Sequence, residues 1–356
     1  MSAFDCHTFQ LINEGEILKI TIPRLSTSNA IAFCMTLQEC QRDDTYFFDV
    51  STVNNYEPLP MLLTSAAIRQ FCTARELSSA DIQLRFTDND DYQYACHMGF
   101  FQSAGFPQGN APGEAPGSST YIPLTKLNIR DMQREAFASG ELLDRCDLIE
   151  RKSDELARVL AQHNTELQKL LRYLIREAIR NVPEHADTNE VWVCGQYWHN
   201  RDLAEIAILD EGIGVYESLK KNHVHNSYIT NNEEALRWAI KPGVSVAFNP
   251  ARGQRSDDVW ANSGYGLYMI SEICKATGGW FTFVSGEDCL RAYTNDTRLY
   301  GAHFKGTALG IRIKPSNVRN YQSLIDAVRT NGEDTAKTIK NAFKEASTPS
   351  KGLMGI

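Results

Sequence analysis

The sequence predicts an α+β protein in two units: a small layered βαβαβα unit, then an antiparallel or mixed sheet with helices on one face. Three observations predict it. Period-two apolar runs alternate with helical spacing over residues 15–106, and a Pro/Gly-rich stretch follows. Beyond that stretch, helical stripes and strand runs come in the order αββααβββ.

In the first unit, strands are expected over 17–22, 46–50 and 82–86. Helices are expected over 29–41, with Ser26, Thr27 and Ser28 as caps, over 60–75 and over 92–103. The segment 107–119 (PQGNAPGEAPGSS) holds three prolines and three glycines and reads as a flexible loop or boundary. A strand over 121–129 and helical patterns over 131–145 and 154–182 come next. The junction is placed near residue 150, which gives a first unit at 1–106, a connecting segment at 107–150, a second unit at 151–315 and a charged helical tail at 316–356.

One apolar stripe from Leu156 through Leu167, Leu171 and Leu174 to Ile179 marks the first helix of the second unit, and Pro183 is expected to end it. Strands over 190–197 and 203–209 follow, then helices near Tyr216 and over 233–240. A polar stretch, 249–262, precedes a helix over 264–277. Strands over 280–285, near Arg291 and over 307–313 close the unit.

A net charge of −8 argues against charge-driven binding to nucleic acid or anionic membrane, because those partners need a basic face. Nine scattered cysteines without a C-x-x-C pair read as reduced thiols. No apolar run approaches the ~18 residues of a membrane span, and the first ten residues lack the pattern of a secretory leader. A cytoplasmic protein is expected.

The most informative residues are Asp210-Glu211-Gly212-Ile213-Gly214, which close the apolar run from Ile206 to Leu209. A carboxylate at a strand end accepts from an exocyclic amine such as that of adenine, and glycines let the backbone approach the base. Upstream, Glu177 and Asn181 share a helix face at i, i+4. Alone, the pair reads first as a solvated polar pair; the glycine motifs downstream reverse that order. Placed beside a triphosphate, the carboxylate suits a general base and the amide oxygen suits Mg²⁺. Gly264-x-Gly266-Leu267 sets a glycine turn at a helix start, where free N–H groups suit phosphate oxygens, although such turns also serve ordinary connections. Thr307, after Gly306, is either a hydroxyl for the base or an ordinary strand threonine. The long segment between Gly214 and Gly264 reads as a lid. Its Lys241, Arg252 and Arg255 are phosphate contacts or solvated charges.

These motifs, in this order, resemble the GHKL superfamily, the Bergerat-fold ATP-binding domains of gyrase, heat-shock chaperones, mismatch-repair clamps, histidine kinases and anti-sigma serine kinases. Glu177-Ala178-x-x-Asn181 with His185 resembles its N-box, most closely that of the anti-sigma type. Asp210-x-Gly212-x-Gly214, Gly264-x-Gly266-Leu267 and Gly306-Thr307 resemble its three glycine boxes, and the lid segment from Lys241 to Ser245 is also similar. The resemblance implies adenine on Asp210, Mg²⁺ on Asn181, and Glu177 as general base. His185, Gly212, Gly214, Lys241, Gly264, Gly266, Leu267 and Thr307 would complete the ATP site, and a homodimer is a family expectation. Two departures stand out: a longer lid, and Pro183 between Asn181 and His185.

The first unit resembles a STAS domain. Asn54 to Pro58 offers no hydroxyl except that of Tyr56 for phosphorylation, which points to docking of a protein partner. His163 lacks the acidic residue and nearby proline of a histidine-kinase acceptor and reads as a surface position on the helix leading to the site. Three functions follow: an ATPase acting as a nucleotide switch, a serine/threonine protein kinase, or a non-catalytic ATP sensor. An intact Glu177 argues against the last, and the absence of a visible acceptor domain favours the first.

Overall fold

In the computed structural model, residues 12–13, 17–40, 45–78, 81–85, 92–116, 118–248 and 263–347 are described. Arg252 and Arg255, with the rest of the polar stretch 249–262, lie outside them, as does the end of the tail beyond residue 347.

A four-stranded sheet opens the chain, in the order β1 (Ile12–Asn13), β2 (Ile17–Thr21), β3 (Thr45–Asp49), β4 (Ile82–Arg85). β2, β3 and β4 run parallel, and β1 is antiparallel to β2. The parallel strands require crossovers, supplied by α1 (Thr27–Glu39) and α2 (Pro58–Ala74). In α2, Pro58 sits in the first turn, and apolar residues lie all round the helix, the pattern of a helix buried on every side. Phe71 meets Tyr46 and Phe48 of β3 edge-on, while Leu59 packs where a Cβ on Gly310 would stand, in the second sheet. The single helix expected over 92–103 is two short ones, α3 (Gln93–His97) and α4 (Phe100–Ser103). They are parted at Gly99, whose φ of 79° is left-handed.

The Pro/Gly stretch is irregular, as expected, yet it is pinned. Asn110 N–H donates to Cys96 O at 2.9 Å and Gly113 N–H to Leu124 O at 2.8 Å. Leu124 lies in β5 (Tyr121–Asn128), which pairs antiparallel with β6 (Glu190–Trp198) and so belongs to the second sheet. Residue 150 falls inside a helix, so the expected junction there is corrected: the second sheet begins at β5.

α5 (Ile129–Ala138) and α6 (Arg145–Ala161) lead to α7 (Thr165–His185). The helix expected over 154–182 is broken at Gln162 and exposed His163, both left-handed. Asn164 then caps α7 by accepting from Leu167 N–H at 3.0 Å. His163 therefore lies at the surface in the break, not on a helix. Pro183 does not end α7. Its missing N–H costs one hydrogen bond near the end of the helix, and Ala186 N–H still reaches Val182 O at 2.9 Å. His185 thus keeps helical register with Asn181.

β7 (Leu203–Asp210), α8 (Gly214–Lys220), α9 (Asn232–Ala239) and α10 (Gly266–Ala276) follow, then β8 (Trp280–Tyr293), β9 (Asp296–Ile313) and α11 (Tyr321–Thr338). The three closing strands expected from the sequence are two long ones, because an irregularity near Gly286 bends β8 without ending it. The second sheet has the order β5-β6-β7-β9-β8 and every pairing in it is antiparallel, so of the two expected alternatives the antiparallel sheet holds and the mixed one does not. Alternation along the strands splits its side chains between two cores. Val193, Ile206, Ile208 and Ile311 face the core built on α7 and α10, whereas Trp192, Cys194, Ala207 and Leu209 face α1 and α2. Helices therefore cover both faces, not one. Among the described residues no helix is long and apolar enough to cross a membrane.

Candidate functional site

Where α7, the carboxyl end of β7 and the start of α10 converge, the apolar core parts into a cleft of about 790 Å³, counted out to its open mouth. Asn181 and His185 reach it from one face of α7, Asp210 and Thr307 from paired strand ends, and Gly264, Gly266 and Leu267 from the start of α10.

Asp210 is 4% exposed. Burial pushes its carboxyl up to about 7, against the opposing hydrogen bonds from Gly212 N–H and from the Thr307 hydroxyl and N–H. The Gly212 bond is 2.9 Å long. Gly212 itself stands behind the cleft: a Cβ there would lie 2.0 Å from Ala186 O, so only glycine lets the loop after β7 cross the end of α7. The next N–H, of Ile213, donates to that same Ala186 O at 3.0 Å. Gly214 lines the cleft at a φ of 77°.

At the other end, Gly264 has a φ of 71° and a Cβ there would meet Val244 O at 2.3 Å. Gly266 opens α10, whose first turn carries no side-chain cap, and lines the cleft. A Cβ on it would stand 2.9 Å from Glu177 Oε2 and 3.9 Å from Asn181 Nδ2. That Nδ2 is buried with no hydrogen-bond partner among the described residues. An orphaned buried amide is costly unless a ligand meets it, and the assignment of its oxygen and nitrogen is interchangeable.

Three expected site residues stand elsewhere. Glu177 is not in the cleft wall; it is buried behind the start of α10, with Oε1 accepting from Arg176 at 2.9 Å, and Arg176 in turn meets Glu150. Gly212 shapes the loop from behind. Lys241 lies outside, its ammonium 3.4 Å from the centre of the Trp238 ring, and partial burial together with Arg237 lowers its pKa. His185 is in the wall. Burial lowers its pKa, partly offset by Glu184 at 4.0 Å, so the neutral imidazole is favoured.

Sequence reasoning missed Val215, Ser218 and Leu219 of α8, which line the cleft at the i, i+3, i+4 spacing after Gly214. That periodicity was available as a signal. It also missed Ser285, whose hydroxyl donates to Gly306 O at 2.7 Å and accepts from Val215 N–H at 3.0 Å, tying β8 to the loop. The tail contributes too. Phe343 N–H donates to Gly243 O at 2.8 Å and Ser347 N–H to Ser263 Oγ at 2.9 Å, so the chain after α11 holds the described ends of the lid.

Among the described residues no group of three or more His, Cys, Asp or Glu side chains gathers to hold a metal. A cation here would rest on one amide with ligand oxygens and waters supplying the rest. Comparisons with family models, with curated proteins and with solved structures found no match for this chain.

Proposed function

We propose that the cleft binds ATP and that the chain is a nucleotide-dependent switch of the GHKL type which hydrolyses it, with Asp210 selecting adenine and Glu177 acting as general base. The observation that carries this reading is the pairing, across one cleft, of a buried carboxylate at a strand end with the orphaned Asn181 amide beside a glycine-opened helix. The ionised Asp210 accepts from the exocyclic amine, while the N–H groups that open α10 meet phosphate oxygens. The Asn181 amide oxygen would hold Mg²⁺, which neutralises phosphate charge when bound. Glu177 stands one helical turn before Asn181, outside the cleft wall with Oε2 toward Gly266, and as general base it would take the proton of the attacking water from that side. The described ends of the lid, held by the tail, give closure a mechanical route to the rest of the chain. The amino-terminal unit, STAS-like by resemblance, is the docking module for a protein partner.

Incubation with γ-labelled ATP, alone and with candidate partner proteins, tests the reading. Free phosphate is expected, and label on a protein hydroxyl would make the chain a serine/threonine kinase instead. Asp210→Ala should abolish binding. Glu177→Gln should keep it and slow phosphate release by about 10²-fold or more. Unchanged turnover in Glu177→Gln would remove the assigned base.

A further inference from the structure

Resting on the reading of the cleft as an ATP site, we infer that Arg69 and Gln70 of α2 are positioning residues that hold, from behind, the two strand ends carrying Asp210 and Thr307. The contact begins with a bulge. Ser285 pairs with Thr307 and Gly286 with Phe304, so Lys305 and Gly306 have no register partner on β8. A bulge leaves its backbone groups in need of other partners. The Gln70 side chain supplies them for Lys305: its Nε2 donates to Lys305 O at 2.8 Å and its Oε1 accepts from Lys305 N–H at 3.3 Å. One side-chain amide thus stands where a neighbouring strand would be.

The same helix turn grips the other strand end. Gln70 Nε2 is 3.3 Å from Glu211 Oε1, and Arg69 donates to Glu211 Oε2 through Nη2 at 2.9 Å and Nε at 3.3 Å. Arg69 is fixed in its turn, 4.1 Å over the Trp192 ring and bonded to the Ser103 carbonyl. Glu211 adjoins Asp210, and Gly306 adjoins Thr307. The two are in backbone contact, since a Cβ on Gly306 would lie 2.1 Å from Asp210 O.

α2 has no slack to absorb a shift. Near its start Leu59 N–H donates to Glu205 Oε1 at 3.3 Å, and Glu57 pairs with Arg312 at 2.6 Å, so the helix is tied to the sheet at both ends. Its 17 residues and the 8 of β7 each span roughly 26 Å, which lets one helix hold the whole strand. Movement of α2 along its axis therefore moves the floor on which the base rests. The phosphate end is held by other groups, with Gly243 N–H on Gly264 O at 3.1 Å. This gives the amino-terminal unit a direct hold on base recognition and leaves phosphate recognition to α10.

The test measures binding of Mg-ATP and of Mg-tripolyphosphate, a probe without a base, to the full chain, with thermal melts as a check of folding. Gln70→Ala should weaken ATP about tenfold and leave tripolyphosphate within about twofold. Arg69→Lys should act in the same direction, because an ammonium cannot reproduce the fork on Glu211. Wild-type affinity for ATP in Gln70→Ala overturns the assignment. Equal weakening of both probes overturns it as well, since general loosening would not spare the phosphate end. A wild-type chain that binds tripolyphosphate but discriminates nothing by base overturns the reading of Asp210 itself, a result distinct from the other two.

Discussion

The two faces of the five-stranded sheet are both covered by helices and both bury charge, yet they use it differently. Against α2, Arg312 sits between Glu205 at 2.8 Å and Glu57 at 2.6 Å, so opposite charges answer one another inside the chain even though Glu205 Oε2 makes no well-aligned hydrogen bond among the described residues. Against α7 and α10, Asp210 has only neutral hydrogen-bond donors and Asn181 Nδ2 has no partner. The first arrangement is closed, the second is open toward a ligand. Polarity in a core therefore marks a site only when the chain leaves it unanswered.

The largest effect should come from the closed face. Glu205 is fully buried, and Arg312→Ala strands its carboxylate. A loss of about 3–5 kcal/mol is expected in urea unfolding. Asp210→Asn, on the open face, should change stability by less than about 1 kcal/mol or raise it, because it removes a carboxylate that burial already disfavours. Equal losses in the two variants would erase the distinction between the faces.

A second contrast sets the glycines of the open face against one at the surface. Gly264 and Gly140 both have left-handed φ, 71° and 82°, but a Cβ on Gly264 meets Val244 O at 2.3 Å while one on Gly140 meets nothing within 4 Å. Gly140→Ala should cost about 1 kcal/mol of backbone strain. Gly264→Ala should cost about 2 kcal/mol or more, since the obstacle is backbone that cannot rotate away, and should also weaken nucleotide binding. Thermal melts of the two variants decide whether Gly264 is a built contour of the cleft or a turn like any other.

Much of this was legible in the sequence, because local patterns carry it. The apolar run from Ile206 to Leu209, the glycines around Asp210 and Gly264, and the i, i+4 face of α7 are short-range signals. What was not legible is long-range. The apolar residues all round the first turns of α2 mark a buried helix, but nothing local tells that it lies between two sheets, or that β5 leaves the connecting segment to join the second sheet. The break at Gln162 and His163 was hidden because the apolar stripe resumes after it, and Pro183 misled because its position in the last turn makes its lost hydrogen bond cheap. Glu177 shows the same limit. Its spacing from Asn181 is fixed by the helix, but the ion pair with Arg176 that turns it behind α10 depends on a neighbour that i, i+4 reasoning does not consult.

The smallest predicted effect sharpens the comparison most, because it reads the open face through protons. Asp210 holds its proton up to about 7, raised by burial, with hydrogen bonds from Gly212 and Thr307 opposing and the Glu211 charge adding to the rise. Between the ordinary aspartate range and pH 7 the folded chain then binds one more proton at this position than the unfolded chain. This contribution to stability accordingly falls as pH rises through that window. A ligand that needs the carboxylate as acceptor works the other way. Its affinity should climb by up to about tenfold per pH unit below 7 and level off above, with a proton released on binding. Adenosine is the suitable probe, as it carries no phosphate to titrate. Calorimetry of adenosine binding between pH 5.5 and 8.5 should show this slope in the wild-type chain, and Asp210→Asn, if it retains any binding, should show none. A flat profile in the wild type would mean that the ligand meets Asp210 in its neutral form, accepting through the carbonyl oxygen alone, and the open face would then be less polarised toward its ligand than the contrast with Glu205 and Arg312 implies.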